Sequence, residues 1–179
     1  MKQAVGMIEL FSIAKGIEAC DCMVKAASVE LLKASSICPG KYLIMVGGDT
    51  GAVTAAMEAG ISCGGQSVAN TFRLSNVHPQ LLPALRGTVR PEKLGAVGVI
   101  EFQSAASAVQ AADDAAKAAE ISLIRVRTGM AIGGKGVVIL TGSVGDVRTA
   151  IERAKEGKKR LVNSIVIPKP APQTLDALL

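Results

Sequence analysis

Cysteine is the residue type in this chain with the clearest capacity for metal or redox chemistry. The sequence holds four, Cys20, Cys22, Cys38 and Cys63. An iron–sulfur cluster is held by cysteine thiolates, typically four of them, but these cysteines lack the spacing of an intrachain cluster site. Cys20 and Cys22 lie two apart on a predicted helix, so their side chains diverge by roughly 200°. The spacing alone therefore predicts no cluster within one chain.

Each cysteine also has a simpler interpretation. Cys20 falls on the apolar stripe of its helix, which predicts a small core residue. Cys22 lies on the opposite, polar face, where it could meet a neighbouring chain. Cys63 comes before two glycines at the end of the second predicted helix, which favours a buried or capping position. Cys38 stands in a predicted turn, where a single cysteine on its own indicates nothing further.

Residue patterns for ordinary enzyme chemistry are absent from the sequence. It has no paired carboxylates, no nucleophile with a base and no His-rich metal cluster. His78, the sole histidine, precedes Pro79, and we predict an edge or packing contact for it. The glycine-rich stretches at residues 47–48 and 133–136 lack the P-loop and Rossmann spacings, so we interpret them as turns. We predict no catalytic residues and no enzyme activity.

Composition narrows the class of protein. Hydrophobic residues make up 49% and charged residues 20% of the 179 residues, which is typical of a globular protein with partner surfaces. The net charge is +5, but one Tyr, no Trp and three Phe leave little to stack on bases, so we predict no nucleic-acid partner. The basic cluster at residues 155–160 is interpreted as a solvated turn or docking edge. Without a signal peptide or an apolar run of about 18 residues, we expect a cytoplasmic chain with reduced thiols and no membrane partner.

The sequence repeats itself. AVGMIE at residues 4–9 recurs as AVGVIE at residues 96–101, an offset of 92 residues. Later the register moves to 94, where Gly40 and Lys41 pair with Gly134 and Lys135. PQLLPAL at residues 79–85 matches PQTLDAL at residues 172–178. The repeat predicts a first domain at residues 1–86, a linker at 87–94 and a second domain at 95–179.

Each copy is predicted to form strand, helix, strand, strand, helix, strand. In the first copy we expect a strand at residues 5–10 and a helix from its N-cap Ser12 to about residue 27. A hairpin then follows at 29–34 and 42–46, and a helix at about 50–59 precedes a strand at 67–74. This order predicts an α/β fold of the α+β, ferredoxin-like class, an open sheet with helices on one side.

The first helix of each copy carries apolar residues at helical spacing. We predict that these stripes face the core. They consist of Ile13, Ile17, Cys20, Val24 and Ala27 in the first copy, and Ala105, Val109, Ala112, Ala116 and Ala119 in the second.

Three motifs together resemble the bacterial microcompartment (BMC) shell-protein family. They are AVGxIE, the helix motif DxxxKAA at residues 21–27 and 113–119, and GDTGAV at residues 48–53. The resemblance covers nearly the whole chain twice. It implies a homotrimer whose six domains mimic a hexamer, packed edge to edge with other shell proteins in a microcompartment shell. We call this ring of six domains a tile. The resemblance also implies that Lys25 and Lys117 lie at the edges of the tile.

The resemblance places the loop between the second and third strands at a central pore. Pore-lining residues would then be Ile37, Pro39 and Gly40 in the first copy, and Ala131, Ile132, Gly133 and Gly134 in the second. In tandem-domain members with a lone cysteine beside proline and glycine, it implies a [4Fe–4S] cluster on the threefold axis. Cys38 from three subunits would be the metal ligand, and the cluster would serve electron transfer with a redox partner in the lumen or cytosol.

Two alternatives remain open on the sequence. A passive tile would use the axial opening as a metabolite pore, and Cys38 would be an incidental or regulatory thiol. A ferredoxin-like regulatory protein would instead bind a small ligand between subunits. The duplicated shell motifs favour a tile over the regulatory protein.

Overall fold

The computed structural model describes residues 3–129, 132–157 and 160–178. The chain forms two compact units. One comprises Met1–Val77 with Gly129–Gly134, and the other comprises His78–Thr128 with Lys135–Leu179. The units thus differ from the predicted division at residue 86, because the segment after Val77 packs with the second unit. There the N–H of Val89, from the predicted linker, donates to the carbonyl of Ile124 at 2.8 Å.

The first unit has the predicted order of elements. Its strands are β1 (Gln3–Leu10), β2 (Glu30–Ile37), β3 (Lys41–Asp49) and β4 (Val68–Ser75). Its helices are α1 (Ile13–Ala26) and α2 (Thr50–Gly64), and α2 extends further than we predicted.

The second unit repeats these elements and adds a short helix at each end. Its strands are β5 (Ala96–Phe102), β6 (Ile121–Thr128), β7 (Gly136–Gly142) and β8 (Leu161–Ile167). Its helices are α3 (Leu81–Arg86), α4 (Ala105–Ala118), α5 (Val144–Lys155) and α6 (Pro172–Leu178).

Both sheets are four-stranded and antiparallel, with orders β2-β3-β1-β4 and β6-β7-β5-β8. The predicted ferredoxin-like α+β topology is confirmed. Even the irregularities repeat, since β1 has a register shift at Glu9/Leu10 and β5 has one at Glu101/Phe102. Edge strands β2 and β6 also share a shift at equivalent positions.

The first helix of each unit begins after a serine, which is the predicted Ser12 in the first unit and Ser104 in the second. The hydroxyl of Ser12 accepts a hydrogen bond from the N–H of Lys15 at 3.2 Å, and the hydroxyl of Ser104 accepts one from Ser107 at 3.5 Å. Each serine satisfies a backbone donor that the first helical turn leaves unpaired.

The predicted apolar stripe is correct for four of its five residues in the second copy but for only Cys20 among the buried residues of α1. On α4, Ala105, Val109, Ala112 and Ala116 are all buried. On α1 the buried residues are instead Gly16, Ala19, Cys20 and Met23, while Ile13, Ile17 and Val24 are exposed. Helical periodicity identified an apolar face, but it could not tell a face packed on the core from one left at the surface.

Among the described residues, we find no helix with the length and apolar character needed to span a bilayer.

Candidate functional site

The candidate site begins at the tight turn between β2 and β3. Ile37 pairs with Lys41 across the hairpin, and the N–H of Gly40 donates to the Ile37 carbonyl at 2.9 Å. Gly40 has φ +83°, a conformation that favours glycine. Cys38, Pro39 and Gly40 are exposed. The turn therefore presents the Cys38 thiol to solvent on a short, hydrogen-bonded support.

Ile37 is more deeply buried than the other predicted pore residues that the structure describes. Its side chain is buried, and a Cβ placed on Gly129 would stand 2.6 Å from its Cγ2 atom. The lack of a side chain at Gly129 makes room for Ile37. Ile37 thus packs beneath the turn and does not expose its side chain.

The loop of the second copy approaches the same turn within the first unit. Gly134 has φ +77°, and a Cβ at that position would stand 2.8 Å from the Cys38 carbonyl oxygen. Gly133 is exposed and Ile132 is half-buried, whereas Ala131 lies outside the described residues. The two glycines offer backbone groups only. The loops therefore share a location, but the thiol is found in the first copy.

The remaining cysteines are on helices α1 and α2. Cys20 is buried in the core of the first unit, as predicted, and burial raises the pKa of its thiol. Cys22 and Cys63 share a hydrogen bond, and this contact together with partial desolvation raises the pKa of Cys63 to about 11. No local sequence pattern predicts this thiol pair, because its members come from different helices.

Both copies contain an ion pair that sequence reasoning missed. Lys41 Nζ lies 3.1 Å from Glu9 Oε2, and Lys135 Nζ lies 2.8 Å from Glu101 Oε1. Lys41 also lies 5.4 Å from the centroid of the Phe11 ring, within cation–π range. The repeated pairing of AVGxIE with a Gly-Lys dipeptide was the available signal. In each copy the pair ties the first strand to the start of the third, beside the loop.

The two lysines predicted at tile edges both pair with an aspartate one helical turn earlier. Lys25 Nζ lies 2.6 Å from Asp21 Oδ2, and Lys117 Nζ lies 2.6 Å from Asp113 Oδ2. Asp113 also accepts a hydrogen bond from the N–H of His78. The His78 ring accepts a hydrogen bond from the N–H of Gln80, so its contacts are local.

A single chain offers few options for a metal centre. Within residues 3–129, 132–157 and 160–178, no group of three or more His, Cys, Asp or Glu side chains is placed to hold an ion. The exposed Cys38 thiol is a soft ligand suited to iron–sulfur clusters, but one chain supplies one such thiol. A cluster at this turn would need equivalent thiols from other copies, and the exposed turn is compatible with that requirement.

The family model for the BMC domain matches this chain twice, at residues 4–77 and 96–170. These matches cover most of the chain and coincide with the two four-stranded sheets. The chain therefore belongs to the BMC-domain family and contains two of its domains, which confirms the predicted resemblance.

Individual relatives show which kind of BMC-domain protein this chain resembles. The chain is 45% identical over 173 residues to the bacterial microcompartment shell protein PduT of Citrobacter freundii, covering 95% of this chain and 94% of the relative. The crystal structure of a microcompartment protein from Desulfitobacterium hafniense DCB has a TM-score of 0.93 at 41% identity, covering 97% of this chain and 98% of that one. The fused permuted hexameric shell protein of the RMM microcompartment has a TM-score of 0.54 at 27% identity, covering 86% and 82% of the two chains. The chain is thus a PduT-like shell protein of a bacterial microcompartment.

Proposed function

We propose that this chain forms a homotrimeric, pseudohexameric shell tile that carries one [4Fe–4S] cluster, held by Cys38 from each of three chains. The exposed Cys38 thiol carries the proposal, because only the first copy presents a thiol at the shared loop. The tandem BMC domains and the relation to a fused hexameric shell protein support a pseudohexamer.

The residues around Cys38 suit such a site. Pro39 stiffens the turn, Gly40 supplies its positive φ, and Gly134 leaves out a side chain whose Cβ would stand 2.8 Å from the Cys38 carbonyl oxygen. The N–H groups of both glycines donate within the chain, Gly40 to Ile37 and Gly134 to Gly129, so what the glycines offer a cluster is space beside the thiol. When bound, the cluster would supply one-electron transfer between redox partners in the lumen and the cytosol. No residue of this chain is assigned a catalytic role.

A second candidate is a passive tile with a metabolite pore. The exposed backbone at Gly133 favours it, because a glycine-rich loop forms a polar lining without a metal ligand. In both cases we propose that Lys25 and Lys117 lie at edges shared with other shell proteins.

The deciding experiment compares wild-type protein with Cys38→Ser, both purified anaerobically. We expect broad visible absorption, an electron paramagnetic resonance signal after reduction, and iron and sulfide near four of each per trimer. The variant should lose all three and keep the wild-type oligomeric state. Cys22→Ser is the matched control and should retain the cluster. A wild type without iron after anaerobic reconstitution would leave the passive tile as the function.

A further inference from the structure

Two segments of similar sequence follow the last strands of the two BMC domains. We call residues 78–86 the first strap and residues 171–178 the second strap. Each contains a Pro-Gln pair and a short helix. In the first strap α3 follows the pair, and in the second α6 begins with it. The repeat aligns Gln80 with Gln173. Their environments in the chain are different, and this difference indicates where the second strap binds.

The first strap is fixed within the second unit by a specific set of hydrogen bonds. The His78 N–H donates to Asp113 Oδ1 at 2.6 Å. The Gln80 side chain donates to the carbonyl of Ile121 at 3.0 Å and accepts from the N–H of Leu123 at 2.7 Å. Because β6 is an edge strand, the Gln80 amide satisfies two backbone groups on its outer side much as another strand would.

The surface of α4 and β6 that lies around this strap is buried. Val109 is 0% exposed and Leu123 is 2% exposed. Asp113, which accepts the hydrogen bond from the strap, is 1% exposed. In the second unit these positions are part of the interior.

The matching surface of α1 and β2 in the first unit is open. Ile17 is 56% exposed and Leu31 is 44% exposed, although they correspond to Val109 and Leu123. The side chain of Asp21, which corresponds to Asp113, is 57% exposed. Ile13 and Val24 extend the same apolar face. Clustered aliphatic residues around a carboxylate on an edge of a sheet are typical of a contact surface.

The second strap has the residues to complete this surface but is itself exposed. Gln173 and Ala171 are exposed, as is Ala177, whereas its counterpart Ala84 is fully buried. Leu175 and Leu178 pack against the core of the second unit, which holds α6 on its own domain. The strap is therefore positioned by its own chain, but its Pro-Gln segment lies at the surface.

We infer that the second strap of one chain docks on the α1–β2 surface of a second copy of this chain. Gln173 would bridge the carbonyl of Val29 and the N–H of Leu31, and the N–H of Ala171 would donate to Asp21. The inference rests on the proposed tile, whose subunit contact it specifies. The contact joins two different surfaces of the chain, so it is head-to-tail and can close into a ring.

Gln173→Ala tests this contact, and Gln80→Ala is its matched control. Two lost hydrogen bonds should raise the concentration at which the assembly dissociates by about tenfold or more, measured by sedimentation velocity on dilution. Hydrogen exchange should show the amide of Leu31 protected in wild type and exchanging about tenfold faster in Gln173→Ala. Gln80→Ala should lower thermal stability and speed exchange at Leu123, with protection at Leu31 unchanged.

The possible results separate this contact from the tile itself. If the wild type assembles and Gln173→Ala alters neither dissociation nor exchange at Leu31, the strap contact is wrong and the tile stands. If the wild type is monomeric at every concentration, both are wrong.

Discussion

The ring of Tyr42 lies directly over Gly16, so that a Cβ on residue 16 would stand 2.5 Å from Tyr42 Cδ1. In the second copy the glycine lies on the strand instead of the helix. Ala108 occupies the helix position and Gly136 the strand position, where a Cβ would stand 2.4 Å from the Ala108 Cβ. Each domain thus has one glycine at the contact between its first helix and its third strand. The glycine is on the helix in the first domain and on the strand in the second.

This contact predicts that Gly16→Ala destabilises the fold. The added methyl must displace Tyr42, and overpacking of this kind costs about 1–3 kcal/mol of unfolding free energy. Urea denaturation measures the loss. Gly51→Ala is the control, since a Cβ there meets nothing within 4 Å, and alanine in a helix should be neutral or slightly stabilising. Equal losses in both variants would contradict the role of the Tyr42 contact.

Loss of the buried carboxylate of Asp113 should lower the unfolding free energy by more than Gly16→Ala does. Asp113→Ala removes the acceptor of the His78 N–H and the partner of Lys117, and we expect a loss of about 2–4 kcal/mol. Glu58→Ala, which removes an exposed carboxylate on α2, should change the unfolding free energy by less than about 0.5 kcal/mol. Thermal denaturation of the two variants checks the difference. A loss at Asp113 no greater than at Glu58 would show that the first strap is held by its apolar contacts.

The two copies of the Glu–Lys pair should differ in strength. Glu9 is 12% exposed in its side chain and Glu101 is 31% exposed, so water and salt screen the first pair less. We expect Glu9→Gln to cost about 1 kcal/mol and Glu101→Gln about half of that. Denaturation at low and high sodium chloride measures both. A cost for Glu101→Gln equal to or larger than that for Glu9→Gln would show that exposure does not govern these pairs.

The cysteines should differ in reactivity in metal-free protein. At pH 8 a thiol with a pKa of about 11, such as Cys63, is about 0.1% thiolate, and Cys20 is buried. Iodoacetamide should therefore label the exposed Cys38 first, as mass spectrometry of peptides would show. In denaturant all four should react at similar rates. Faster labelling of Cys63 than of Cys38 would be inconsistent with the Cys22–Cys63 hydrogen bond.

The same raised pKa predicts a pH dependence of stability. The folded state holds the Cys63 proton to about pH 11, whereas an ordinary thiol releases it near pH 9. The unfolded chain therefore binds fewer protons in this window, and the contribution of this group to stability is full below pH 9 and lost as pH rises to 11. The unfolding free energy of Cys63→Ser should lack this component when compared with wild type. The prediction would be contradicted if the unfolding free energies of wild type and Cys63→Ser changed in parallel between pH 9 and pH 11.

Much of this structure could be predicted from local sequence. The hairpin around Cys38, the serine caps and the strand order follow from turn residues, apolar periodicity and the repeat. The exposure of the α1 stripe could not be predicted in this way, because Ile17 and Val109 occupy equivalent places on similar helices and differ only in what surrounds them. The Cys22–Cys63 contact also needed the packing of two helices, which no local pattern encodes.

The loop at Cys38 and the loop at Gly134 differ in sequence although the domains around them are alike. A single-domain chain that assembles into a six-membered ring must repeat any mutation six times, so a cysteine at the centre would bring six thiols together. Fusion of two domains removes that constraint, since one loop can acquire a ligand while the other remains glycine-rich. Two domains in one chain thereby make sets of three ligands possible in a ring of six domains, where six identical chains would present six.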